Sequence, residues 1–96
     1  MTHHNTMSGT ETYYWTPQSL DLARAVHPEV VRLMAGRDGG IRQRRYAVIH
    51  HTTMPSILLE VGYIDNTSDE AKLGDPAFQQ AFGSAVRDGV IRYFGG

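Results

Sequence analysis

The sequence predicts an α/β domain, a partial twisted sheet of about three strands packed with helices. Three observations predict it. Three short segments rich in Thr, aromatic or apolar residues read as strands, and two long segments repeat apolar residues every three or four positions. The chain of 96 residues holds one small core and no second one, burying roughly 60–65% of the surface of the unfolded chain.

Residues 8 to 15, SGTETYYW, form the first expected strand, ended by Thr16-Pro17. From 19 to 35 the period changes. Leu22, Val26, Val30 and Leu33, with Ala25 and Met34 beside them, make one apolar helix face, with Ser19 as N-cap and Gly36 as the stop. Pro28 lies inside that helix, where an unaccommodated proline costs about 3 kcal/mol, so a kink or two short helices meeting at His27-Pro28 is expected. His27 reads as a helix-surface residue. GRDGGIRQRR, 36 to 45, reads as a loop whose glycines allow positive φ.

YAVIHH, 46 to 51, and SILLEVGYI, 56 to 64, are the second and third expected strands. Both are apolar on alternate and adjacent positions alike, the pattern of a strand buried on both faces. Met54-Pro55 leaves too little chain for a crossover helix, so the two are expected to be neighbours or to meet at a tight bend. Thr67 with Glu70 matches a capping box opening a short helix. Asp75-Pro76 then starts a last helix, whose apolar face runs through Phe78, Phe82, Val86, Val90 and Phe94.

Composition excludes several classes. A formal charge of −1 supplies no field to attract nucleic acid or an anionic membrane, and Arg42, Arg44 and Arg45 read as a solvated turn. With no cysteine, disulfides, thiol nucleophiles and thiolate metal sites are all absent, and His, Asp or Glu must hold any metal. No apolar run approaches the ~18 residues of a membrane span, and the first residues, MTHHNTMSGT, lack the regions of a signal peptide.

The residue that stands out is Glu60, set at the end of the most apolar run and followed by Gly62. Three readings are open: a carboxylate paired with an arginine, an edge residue pointing to water, or a general acid or base tuned by its apolar setting. Gly62 favours the last, since glycine within a strand marks a bulge or a close backbone approach. His3 and His4 are metal-ligand candidates, because imidazole is the commonest ligand and no thiolate competes. His50 and His51, on adjacent strand positions, face opposite sides, so only one of them shares a face with Glu60. Asn66 reads as a helix cap, and Tyr13, Tyr14 and Trp15 as core aromatics or a stacking surface.

Taken in order, the segments resemble the zinc-dependent N-acetylmuramoyl-L-alanine amidases of the type-3 amidase domain. His3-His4-Asn5 is similar to that family's His-x-Asn segment, SGTETYYW to its Gly-(Thr/Val)-Glu-x-Tyr-Tyr strand, and residues 36 to 54 to the loop and strand that follow. MPSILLEVGYIDN, 54 to 66, is similar to its catalytic segment, and the helix ending in Ile91-Arg92-Tyr93-Phe94 completes the likeness.

The resemblance implies that Glu60 is the catalytic glutamate, that His3 is a zinc ligand, and that zinc is the cofactor. It implies peptidoglycan as substrate, cleaved between N-acetylmuramic acid and L-alanine, and the cell envelope or exterior as the location. The family's two further ligands, a histidine in an Asp-x-Gly-His-Gly segment and a glutamate on an early helix, lie upstream of the segments matched here. Residues 1–96 are therefore expected to form a single truncated catalytic domain, its C-terminal portion, with little or no activity by itself. His4, Glu11 and His50 are candidate substitutes for the missing ligands. A sheet without its remaining strands also leads us to expect self-association through an exposed edge.

Two other functions remain open: a non-catalytic peptidoglycan-binding or regulatory module, and a glycosidase pairing Glu60 with Glu11 or Asp65.

Overall fold

The computed structural model describes residues 9–34, 36–50, 53–61, 71 and 74–95. A strand, β1 (Gly9–Tyr14), leads into a long helix, α1 (Pro17–Met34), and then a second strand, β2 (Arg37–Gln43). A single helical turn, α2 (Ala47–His50), precedes β3 (Leu58–Val61), and α3 (Pro76–Tyr93) closes the fold. The sheet has the order β2-β1-β3, parallel between β1 and β2 and antiparallel between β1 and β3.

The expected fold class is present, and so are the strand at β1, the long helix and the last helix. At the start of α1 the capping differs from expectation. Thr16 Oγ1 accepts the Ser19 N–H at 3.2 Å, with Pro17 at the first helical position. Ser19 is thus inside the helix and buried, and its hydroxyl accepts the Ser56 N–H at 3.0 Å, anchoring the segment before β3. One helix runs through Pro28 without dividing, and the proline ring lies on the exposed side.

Two assignments are corrected. Arg37–Gln43 is a strand rather than a loop, because its backbone pairs in parallel with β1 although its side chains are largely exposed. Residues 46 to 51 are not a strand. His50 N–H bonds to the Tyr46 carbonyl at 3.0 Å, closing a helical turn with Ile49 buried beneath it, and β2 takes the place beside β1. A short apolar run carries no period long enough to separate these outcomes. The third strand is confined to Leu58–Val61 among the described residues and is half-buried rather than buried on both faces. The capping box at Thr67 and Glu70 lies outside the described residues.

Val26, Val30 and Met34 of α1 are the centre of the core, worth about 1.5–3 kcal/mol each on burial. Leu59 and Val61 pack on them from the sheet, and Phe78, Phe82, Val86 and Val90 from α3, as the spacing predicted; Phe94 is exposed instead. Asp75 caps α3 by accepting the Ala77 N–H at 3.0 Å. At the helix crossing Gly89 lies so close to α1 that a Cβ there would sit 2.6 Å from Val26 Cα. Glu29 braces the same contact, 2.7 Å from Arg32 on its own helix and 2.7 Å from Arg92 on α3. The Arg92 contact is charge pairing without hydrogen-bond alignment.

Candidate active site

Side chains alternate along β1, so Thr10 and Thr12 face α1 while Glu11 and Tyr13 face the other way. In the antiparallel pairing Thr12 opposes Leu59 and Glu11 opposes Glu60. Leu59 belongs to the core, so Glu60 stands on the sheet face that points away from α1, directly across from a second carboxylate.

The two carboxylates have different surroundings. The Glu11 side chain is only 15% exposed, accepts the Tyr13 hydroxyl and lies 3.7 Å from Arg42 Nε. Its stem crosses Gly39, where a Cβ would fall 2.4 Å from Glu11 Cγ. The strand pairing passes from Thr10–Asp38 to Glu11–Gly40, leaving Gly39 as the extra residue of a bulge. Gly40, with φ +90°, follows it in a backbone conformation that glycine adopts at little cost. Glu60 is exposed, and it has neither a hydrogen bond nor an ion pair among the described residues.

Tyr13 is buried, its ring edge-on to Tyr46 at 5.2 Å. Its phenol is pushed well above the ordinary tyrosine range, first by the hydrogen bond to Glu11, then by burial and by the negative charges of Glu11 and Glu60.

On the opposite face His27 links three elements. It is 4% exposed, which corrects the expectation of a surface residue. Its Nδ1 lies 2.7 Å from Thr12 Oγ1 and its Nε2 2.7 Å from Asp38 Oδ1, while Asp38 also accepts the Gly40 N–H at 2.9 Å. With Nε2 donating to Asp38 and Nδ1 facing the Thr12 hydroxyl, which can donate or accept, all these contacts are satisfied. Thr12 is fully buried, so this arrangement braces the sheet and offers no accessible nucleophile.

Glu60, Glu11 and Tyr13 are thus brought onto one face, joined by Arg42, which sequence reasoning had placed in a turn. The signal for the Glu11–Tyr13 contact was the spacing of two on a strand. His50 is carried by the turn α2, so the expected strand-face relation to Glu60 does not arise. His3, His4, His51, Asp65 and Asn66 lie outside the described residues. Among the described residues no three His, Asp or Glu side chains are grouped to hold a metal, so these residues alone do not make a zinc centre.

A family model described as N-acetylmuramoyl-L-alanine amidase matches residues 1–92. N-acetylmuramoyl-L-alanine amidase LytC of Bacillus subtilis is 33% identical over 91 residues, covering 91% of this chain and 18% of that protein. The uncharacterised protein YqiI of the same organism is 36% identical over 91 residues, covering 91% and 44%. Among solved structures, the catalytic domain of the amidase CwlV from Bacillus (Paenibacillus) polymyxa superposes with a TM-score of 0.86 at 39% identity, over 94% of this chain and 50% of that one. The amidase AmiC2 of Nostoc punctiforme gives 0.88 at 26%, over 100% and 53%. The chain spans about half the length of these solved structures and less than half of these two Bacillus subtilis relatives. On this match, the chain belongs to the N-acetylmuramoyl-L-alanine amidase family.

Proposed function

We propose that this chain carries the Glu60 portion of a peptidoglycan amidase that hydrolyses the bond between N-acetylmuramic acid and L-alanine. The observation that supports it most is Glu60 itself, an exposed carboxylate on a paired strand with no hydrogen bond or ion pair among the described residues. A group so held is free to take a proton from a water and later return it.

In the reaction the water oxygen attacks the lactyl carbonyl carbon as Glu60 accepts a water proton. The tetrahedral intermediate then collapses, the carbon–nitrogen bond breaks, and the Glu60 proton passes to the departing nitrogen. The products are the muramic acid carboxylate and a free L-alanine amine. The cofactor proposed is zinc, with His3 as one ligand; when bound, it supplies Lewis-acid polarisation and acidifies water. The chain is proposed to be the C-terminal portion of the catalytic domain, acting in the cell envelope or outside the cell. Among the described residues no helix is long and apolar enough to cross a membrane. Nothing among the described residues supports the expected pairing of copies through a sheet edge.

The test incubates purified cell walls, with and without a chelator, with the complete catalytic domain of which this chain is proposed to be the C-terminal portion. New L-alanine amino groups that disappear on chelation support the amidase. Retention on the wall that a chelator does not change, with no amine released, overturns it in favour of a non-catalytic wall-binding module.

A further inference from the structure

Three of the nine basic residues fall within positions 42 to 45, and one of them belongs to the face that carries Glu60. Arg42 pairs in register with Tyr13, which shares its side of β1 with Glu11. Among the described residues the Arg42 guanidinium is held by one edge: Nε donates to the Gly39 carbonyl at 3.2 Å and lies 3.7 Å from Glu11. Its two terminal nitrogens have no hydrogen-bond or ion-pair partner among the described residues, and the side chain is 49% exposed. The bulge at Gly39 supplies the carbonyl that fixes the Nε edge.

Such an arginine presents a preset fork to an incoming planar anion, and carboxylate is the anion whose geometry matches it. We propose that Arg42 is a specificity-determining residue that binds a carboxylate on the wall peptide, two or three residues beyond the scissile amide. The proposal rests on the amidase reading, which supplies a peptide ligand and places its cleaved bond at Glu60.

The reach is consistent. Arg42 and Glu60 lie on strands separated by β1 and are offset by two residues along it, about 12 Å apart at the usual strand spacing and rise, and the Arg42 side chain leans back toward Glu11 to shorten the gap. Two to three extended residues span about 7–11 Å. A carboxylate arriving beside Glu11 and Glu60 meets two negative charges, and Tyr13 and the Nε edge of Arg42 offset the nearer one. Exposed Arg44 and Arg45 add positive charge at the same end of β2. A neutral side chain at that peptide position gains nothing from the fork.

The test titrates the 96-residue protein with N-acetyl-alanyl-glutamyl-lysine amide, the glutamyl carboxylate either free or amidated, followed by calorimetry or amide NMR shifts. The free carboxylate is expected to bind about tenfold more tightly, the lower end for a hydrogen bond to a charged group at a solvent-exposed site. Arg42→Gln abolishes the difference and Arg42→Lys keeps part of it, since an ammonium retains charge without the fork. Arg45→Gln, which removes a cation 6.0 Å from the Trp15 ring, leaves the preference intact. Equal binding of the two peptides, no binding of either, or a preference that survives Arg42→Gln overturns the proposal. Cleavage of wall without a carboxylate preference removes the Arg42 assignment and leaves the amidase reading standing. Carboxylate-selective binding by this chain, with no cleavage by the complete catalytic domain, supports the Arg42 site and contradicts that reading.

Discussion

His27 Nε2 lies 2.7 Å from Asp38 Oδ1, tying the middle of α1 to the edge strand β2. The hydrogen bond from His27 holds the Asp38 carboxyl below the usual carboxylate range; the Gly40 N–H adds to this and burial works against it. A depressed carboxylate stabilises the fold above its unfolded value, and that contribution is lost as pH falls through the lower folded value. Wild type is therefore expected to unfold at higher urea concentration than Asp38→Asn at pH 6, with the gap closing below about pH 4. Urea midpoints at pH 6 and pH 3 check this; a constant gap would place the effect of Asp38 outside its charge.

Gly89→Ala is expected to destabilise the protein despite the better helix propensity of alanine. The added Cβ would sit 2.6 Å from Val26 Cα and 2.9 Å from the Ala25 carbonyl, both backbone atoms that yield only if the helices separate. Overpacking of this kind costs about 1–3 kcal/mol, against a propensity gain of about 1 kcal/mol. A net loss of up to about 2 kcal/mol in denaturant unfolding is the expected reading, and an unchanged midpoint would mean the crossing is looser than described.

Tyr13 offers a spectroscopic check on the carboxylate pair. Of the five tyrosines, one should resist ionisation at alkaline pH because its hydroxyl donates a hydrogen bond to Glu11 and two negative charges lie near it. Glu11→Gln should bring that titration down, followed by phenolate absorbance near 295 nm. If the curve of the variant overlays wild type, the Tyr13–Glu11 contact is not formed in solution.

Much of this was legible in the sequence, and the exceptions have physical causes. Asp75-Pro76 and the Phe78–Phe82–Val86–Val90 spacing are local signals, and α3 follows them. β2 was missed because glycine and arginine dominate it. Its strand character comes from pairing with β1, which no local property records. His27 is buried for a different reason: Ala23, His27, Val30 and Met34 fall at helical spacing on the buried stripe, although the polarity of histidine points to the surface. The role proposed for Glu60 rests on the resemblance of the segment MPSILLEVGYIDN to the family's catalytic segment. The opposing Glu11 needed the strand register, which only the fold supplies.

The most direct test compares wild type and Glu60→Gln, each within the complete catalytic domain of which this chain is proposed to be the C-terminal portion, on purified cell walls, measuring new amino-terminal alanine and new reducing sugar ends together. The account predicts alanine from wild type, a fall of about 10²- to 10⁴-fold in the variant, as for loss of a general acid–base group, and no reducing ends from either. Alanine release that survives the substitution, or reducing ends in place of alanine, would contradict it.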